Sequence, residues 1–110
     1  IQLQQKQYDQ AFQATARVIA AHSDAMVAHY LEGRIAAESG EQLDRGEQAL
    51  RRYLAYAPKP GEPSLASAHW RLGMIEERRG RPDGARSEYR AALAIDPKLA
   101  GAKDALAKLK

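Results

Sequence analysis

Apolar residues along the chain recur at three- and four-residue spacing, in segments of roughly a dozen to sixteen residues, which is the periodicity of amphipathic helices. The segments are cut at Gln7 and Tyr8, at His22 to Asp24, at Gly40 to Asp44, at Pro58 to Ser64, at Gly80 to Asp83 and at Asp96 to Lys98. These cuts predict about seven helices. Gly, Pro, Asp and Ser dominate the breaks, as turns and caps require. Ser64 before Leu65, Asp24 before Ala25 and Asp96 before Pro97 are the predicted N-caps, the last with Pro at the first helical position. Gly40 and Gly80 are the predicted helix stops.

The pattern also repeats at long range. From Ala66 onward come Leu72, Gly73, Gly80, Ala85, Tyr89, Ala92 and Pro97, with Leu99 closing a unit of about 34 residues. One period earlier, Gly33 matches Gly73, Gly40 matches Gly80, and Gly46, Leu50, Tyr53 and Pro58 follow in the order of Ala85, Tyr89, Ala92 and Pro97. Earlier still, Tyr8, Ala11, Thr15, Val18 and Ser23 align with a second helix whose partner would precede Ile1. Small residues at Gly73, Ala85 and Ala92 allow two helices to approach closely, and Tyr89 fills the space beside them.

This order of residues resembles the tetratricopeptide repeat, most completely over 66–99. It departs from the family pattern at several residues, besides a turn at Glu41 to Arg45 that is one residue too long and an insertion at 61–65. His69 stands at the usual tryptophan with Trp70 one residue on, Glu76 stands where an aromatic is common, and Tyr53 is bulky where the family prefers a small residue. The resemblance implies an all-α fold, a right-handed α-α superhelix or solenoid of antiparallel helix pairs. It divides the chain into the second helix of a truncated repeat (1–25), a repeat (26–60), an inserted linker (61–65), a further repeat (66–99) and a capping helix (100–110). Ile1 and Leu3 would then form a cut stacking edge, with self-association of such a fragment through that edge as one expectation.

In the family the first helix of each pair lines a concave groove that holds another protein or a peptide. The corresponding residues are Val27, Tyr30, Arg34, Ala37 and Glu38, then Ser67, Trp70, Met74, Glu77 and Arg78. Placed side by side, Tyr30 beside Trp70 and Arg34 beside Met74 give the aromatic and arginine content of an interface hot spot. The rival reading puts Trp70 in the core. Family members that grip a C-terminal carboxylate use groove asparagines with Lys and Arg. This chain contains no asparagine, and Tyr30 and Arg34 stand where that clamp has Lys and Asn. The expected role is therefore a protein–protein interaction module or scaffold binding a peptide segment or helix. The alternative is a structural arm contacting a larger complex through its stacking edges.

Composition and charge narrow this further. A chain of 110 residues holds one modest core, and it has no cysteine for disulfides, thiolate metal sites or a thiol nucleophile. The run from Val18 to Ala21 is too short to cross a bilayer, so a soluble chain is expected, and the compartment is left open. An initial Ile rather than Met suggests a piece of something longer. The formal charge is +3, with seven basic and eight acidic side chains over 1–65 and ten basic and six acidic over 66–110. A basic C-terminal portion can steer an acidic partner, and polyanion binding is the weaker alternative, because the dense cationic stripe of a nucleic-acid binder is absent. Arg34, Arg71 and Arg78 are cations that could attract an acidic ligand. The turn arginines Arg78, Arg79 and Arg81, with Arg86 and Arg90 four apart on one face, are candidates for a phosphate or acidic peptide. His22, His29 and His69 lack the spacing of a helical metal motif, so no metal and no cofactor are expected. No serine sits in a nucleophile-elbow context, and Glu76 and Glu77 diverge around a helix, reading as solvated charges. No enzyme is expected.

Overall fold

The computed structural model describes residues 2–109, with side chains from Gln4 onward. Among these residues there are six helices and no strand: α1 (Gln2–Ala21), α2 (Met26–Ser39), α3 (Leu43–Leu54), α4 (Leu65–Arg78), α5 (Pro82–Ile95) and α6 (Ala100–Lys108). Six replace the expected seven because α1 runs through Gln7 and Tyr8. Neither residue constrains the backbone as Gly or Pro does, and Gln4 Nε2 donates to the Tyr8 hydroxyl across that point at 3.1 Å. The side chains of Ile1 and Leu3, the expected stacking edge, lie outside the described residues, as does Lys110.

Two helix pairs carry the packing, α2 on α3 and α4 on α5. Further contacts join α2 to α4, α3 to α4, α1 to α2 and α5 to α6, so each helix meets only its neighbours in a stacked array. The body measures 39 × 35 × 20 Å, and its thickness is about two helix diameters. Such a slab has no single centre, and the core forms two clusters. One is built from Phe12, Tyr30, Ala36, Leu50, Tyr53, Leu72 and Ile75, among others. The other contains Ala85, Tyr89, Ala92 and Ala102, with Trp70 against it. Met74 packs at the edge of both.

The helix pairs approach where the glycines fall. A Cβ on Gly73 would lie within 3 Å of three Tyr89 ring carbons, and one on Gly33 within 3 Å of three Leu50 carbons. Gly33/Leu50 and Gly73/Tyr89 are thus the same contact in successive pairs, and Ala85, Ala92 and Leu72 are buried around the second. Gly46 closes on Ala36 in the same manner. Gly40 and Gly80 end α2 and α4 in the left-handed region, at φ 78° and 72°, a conformation that glycine adopts without strain.

Of the three predicted caps, Ser64 holds, its Oγ accepting from Ser67 N–H at 3.1 Å. Asp24 caps nothing: Ala25 occupies the N-cap position with no side-chain hydrogen bond. Asp96 also caps no helix. Its Oδ1 accepts from Lys98 N–H at 3.0 Å, a local turn that closes off α5 and delays α6 to Ala100, three residues beyond Pro97. The α2–α3 connection is likewise tighter than the Gly40–Asp44 break, with α3 starting at Leu43 after a left-handed Gln42.

Tyr53 fits because the connection to α4 is long. Its ring is fully buried between Tyr30 and Tyr56, with centroids 5.4 and 5.5 Å away, and its hydroxyl donates to the Pro63 carbonyl at 2.6 Å. Tyr56 donates to Glu62 Oε1 at 2.7 Å, and Lys59 N–H donates to the same oxygen at 2.8 Å. Burial, then the Glu62 charge, pushes the Tyr53 hydroxyl up to about 12. The unfolded chain ionises this group near pH 10. Between those values the unfolded state binds fewer protons than the folded one, so stability is full below pH 10 and falls as pH rises toward 12. The urea midpoint should therefore drop between pH 9 and 11.5, and Tyr53→Phe should flatten the drop. An unchanged slope in Tyr53→Phe would assign it to other groups.

Candidate functional site

Helices α2 and α4 are the first members of the two pairs, α6 follows them in the array, and the face they share carries two clefts on either side of α4. The first, about 360 Å³, is lined by Ala37, Met74, Glu77 and Arg78. The second, about 320 Å³, lies between α4 and α6 and is lined by Trp70, Met74, Glu77, Tyr89, Gly101, Asp104, Ala105 and Lys108. Met74 and Glu77 belong to both, so the clefts meet along one edge of α4.

The arginines on the α2 side of this face are already engaged. Glu38 Oε2 accepts from Arg34 Nε at 3.3 Å and from Arg71 Nη1 at 3.4 Å, which joins α2 to α4. Arg78 reaches back to the end of α2, donating from Nε to the Ala37 carbonyl at 3.3 Å and from Nη2 to the Glu38 carbonyl at 2.8 Å. It satisfies the orphan carbonyls and sits at the negative end of the helix dipole. Arg71 and Arg78 are therefore structural ties between α4 and α2, and Arg34 is paired with Glu38 within α2, so the three are not cations waiting for an acidic ligand. Arg71 is 8% exposed, and its Nε has no hydrogen-bond partner.

The expected aromatic pair is not assembled. Tyr30 is 5% exposed and turned against Tyr53, because the large residue at 53 draws it inward. Trp70 is half-buried, packed between the neighbouring Arg71 and α6. The Arg71 guanidinium carbon lies 3.9 Å from the ring centroid, and Gly101 backs the indole so closely that a Cβ there would lie within 3 Å of three ring atoms. Its position joins the two sequence readings: it packs on the second core cluster and its edge borders the second cleft. Arg34, Glu38, Met74, Glu77 and Arg78 are brought together around α4. Val27 and Ser67 are half-buried and line neither cleft.

Other charged residues also differ from expectation. Glu76 is buried at 8% exposure, 3.8 Å from Arg81 and packed over Gly84, not solvated. Glu77 is exposed and accepts a hydrogen bond from the buried Tyr89 hydroxyl. Burial first, then that bond, raises the ionisation of Tyr89 far above its ordinary value and keeps it a donor. Arg86 is paired with Asp83 at 2.6 Å, while Arg90 is exposed. His29 bonds to the Ser23 carbonyl in the turn before α2 at 3.0 Å, and His69 fastens α4 to α5 through Glu88 at 2.9 Å. Among the described residues, no three His, Cys, Asp or Glu side chains converge on a metal position. Nor is any helix long and apolar enough to cross a membrane.

Gly101, Asp104 and Lys108 were missed by the sequence reading, although a signal was present. They lie one 34-residue period beyond Ser67, Trp70 and Met74, and the groove positions had only to be carried one unit further.

No curated protein and no solved structure matches the chain. The family model described as tetratricopeptide repeat matches residues 39–100, more than half of the sequence. That span takes in α3, α4 and α5, with the Gly73/Tyr89 contact at its centre. The chain belongs to the tetratricopeptide repeat family.

Proposed function

We propose that the α2–α4–α6 face holds a peptide segment or helix from a partner protein. Repeats of this family generally mediate protein–protein interaction or scaffolding, typically without catalysis. The observation that supports the groove as the contact surface is the meeting of two clefts at Met74 and Glu77. An apolar, adaptable thioether with charged groups on either side gives a ligand both contact area and orientation. Rigidity comes from the arginine ties behind the groove, so little order has to be gained on binding.

Peptides selected from a displayed random library for binding to the chain provide the test. Met74→Gln, at the residue the two clefts share, is expected to weaken such peptides about tenfold, a loss typical of interface anchors. Amide shifts on titration should fall on α2, α4 and α6. Unaltered affinity, or shifts confined to α1, α3 and α5, would remove the groove from consideration.

A further inference from the structure

Resting on the groove reading, we infer that the cleft between α4 and α6 receives a cationic side chain, Lys or Arg, of the bound segment. The net charge of +3 and the basic C-terminal portion suggest the opposite sign. What decides the matter is which charges are already spent.

On the α2 side, Arg34 and Arg71 share Glu38, and Arg78 is bonded to two carbonyls at the end of α2. On the α6 side, Glu77 and Asp104 face the cleft and neither has a cation within 4 Å among the described residues; the one bond made to Glu77 comes from a neutral hydroxyl of α5. Lys108, one turn beyond Asp104, is the single cation on this lining and offsets one of the two carboxylates. The floor is Met74, Ala105 and the edge of Trp70. A Lys or Arg stem can lie along that floor while its head reaches the carboxylates at the rim, the division such side chains make between apolar and aqueous surroundings.

Trp70 is the only tryptophan in the chain and borders this cleft, so its emission reports occupancy without a label. The probes are three short capped peptides of alanine and leucine that differ at one central residue: lysine, glutamine or glutamate. The lysine peptide is expected to bind most tightly. Glu77→Gln and Asp104→Asn should each weaken it about fivefold, and Lys108→Gln should tighten it by a similar factor. Glu77 and Asp104 are exposed, and the glutamine at 77 still accepts from Tyr89, so circular dichroism should be unchanged. Tighter binding of the glutamate peptide, or a lysine preference indifferent to both substitutions, overturns the cation site and leaves the groove reading standing. Failure of all three peptides to alter Trp70 emission at millimolar concentration overturns both.

Discussion

Replacing Gly73 with valine is expected to cost about 3 kcal/mol of stability, near the upper end for overpacking a core. The residue lies inside α4, where valine is a slightly better helix former than glycine, so propensity does not supply the penalty. The penalty comes from Tyr89. Its ring carbons already occupy the space of a Cβ at 73, the side chain is fully buried, and its hydroxyl is bonded to Glu77. The ring cannot move without breaking that bond or displacing α5. Tyr89→Ala on the same background should relieve most of the clash, although alone it opens a cavity worth about 3–5 kcal/mol. Urea denaturation of the two single variants and the double variant measures the coupling. Simple additivity of the two losses would mean that the close approach of α4 and α5 is wrong.

Arg45→Leu should cost about 2 kcal/mol, and Glu32→Leu added to it should restore most of the loss. Glu32 is 4% exposed, and its carboxylate accepts from Arg45 and from Thr15 Oγ1 at 3.1 Å, which draws α1, α2 and α3 together. Arg45 also lies over the Phe12 ring, 5.5 Å from its centroid. Removing the guanidinium leaves a buried carboxylate with one hydroxyl for company. Such losses run to about 3–5 kcal/mol in closed sites, and the figure here is lower because the Arg45 side chain is about a third exposed. The double replacement removes the desolvated charge itself, so apolar packing can substitute for it. If Arg45→Leu shifts the denaturation midpoint no more than an ordinary surface change, the pair is not a determinant of the first three helices.

Both contacts show what a sequence can and cannot disclose. The Gly73/Tyr89 and Gly33/Leu50 approaches were legible because a backbone contact admits only a small residue on one side, and that demand recurs at the repeat period. Gly40, Gly80 and Ser64 were legible for a similar reason, since their roles depend on local backbone geometry. The burial of Tyr30 was not, because its depth depends on Tyr53 across the helix pair and on a connection long enough to offer the Pro63 carbonyl. Glu38, Arg71 and Arg78 were named as groove residues, but their pairing spans 33 to 41 positions and no local pattern encodes it. The Glu32–Arg45 pair escaped notice because helix periodicity places polar residues outside, and a charge that is buried and matched looks like an ordinary surface one. Asp24 and Asp96 misled for the opposite reason: their side chains suit a cap, yet the turn around them takes another form.

The two joints of the α2–α4–α6 face are built differently. The first is fastened by Glu38 with its two arginines and by Arg78 on the α2 carbonyls, whereas the second rests on an indole lying against Gly101. Mechanically, the array should behave as a spring whose first coil is stiffer than its second. Under load or thermal motion, curvature should change first where α6 meets α4, and a side chain wedged there would set the angle of α6 against the rest of the array.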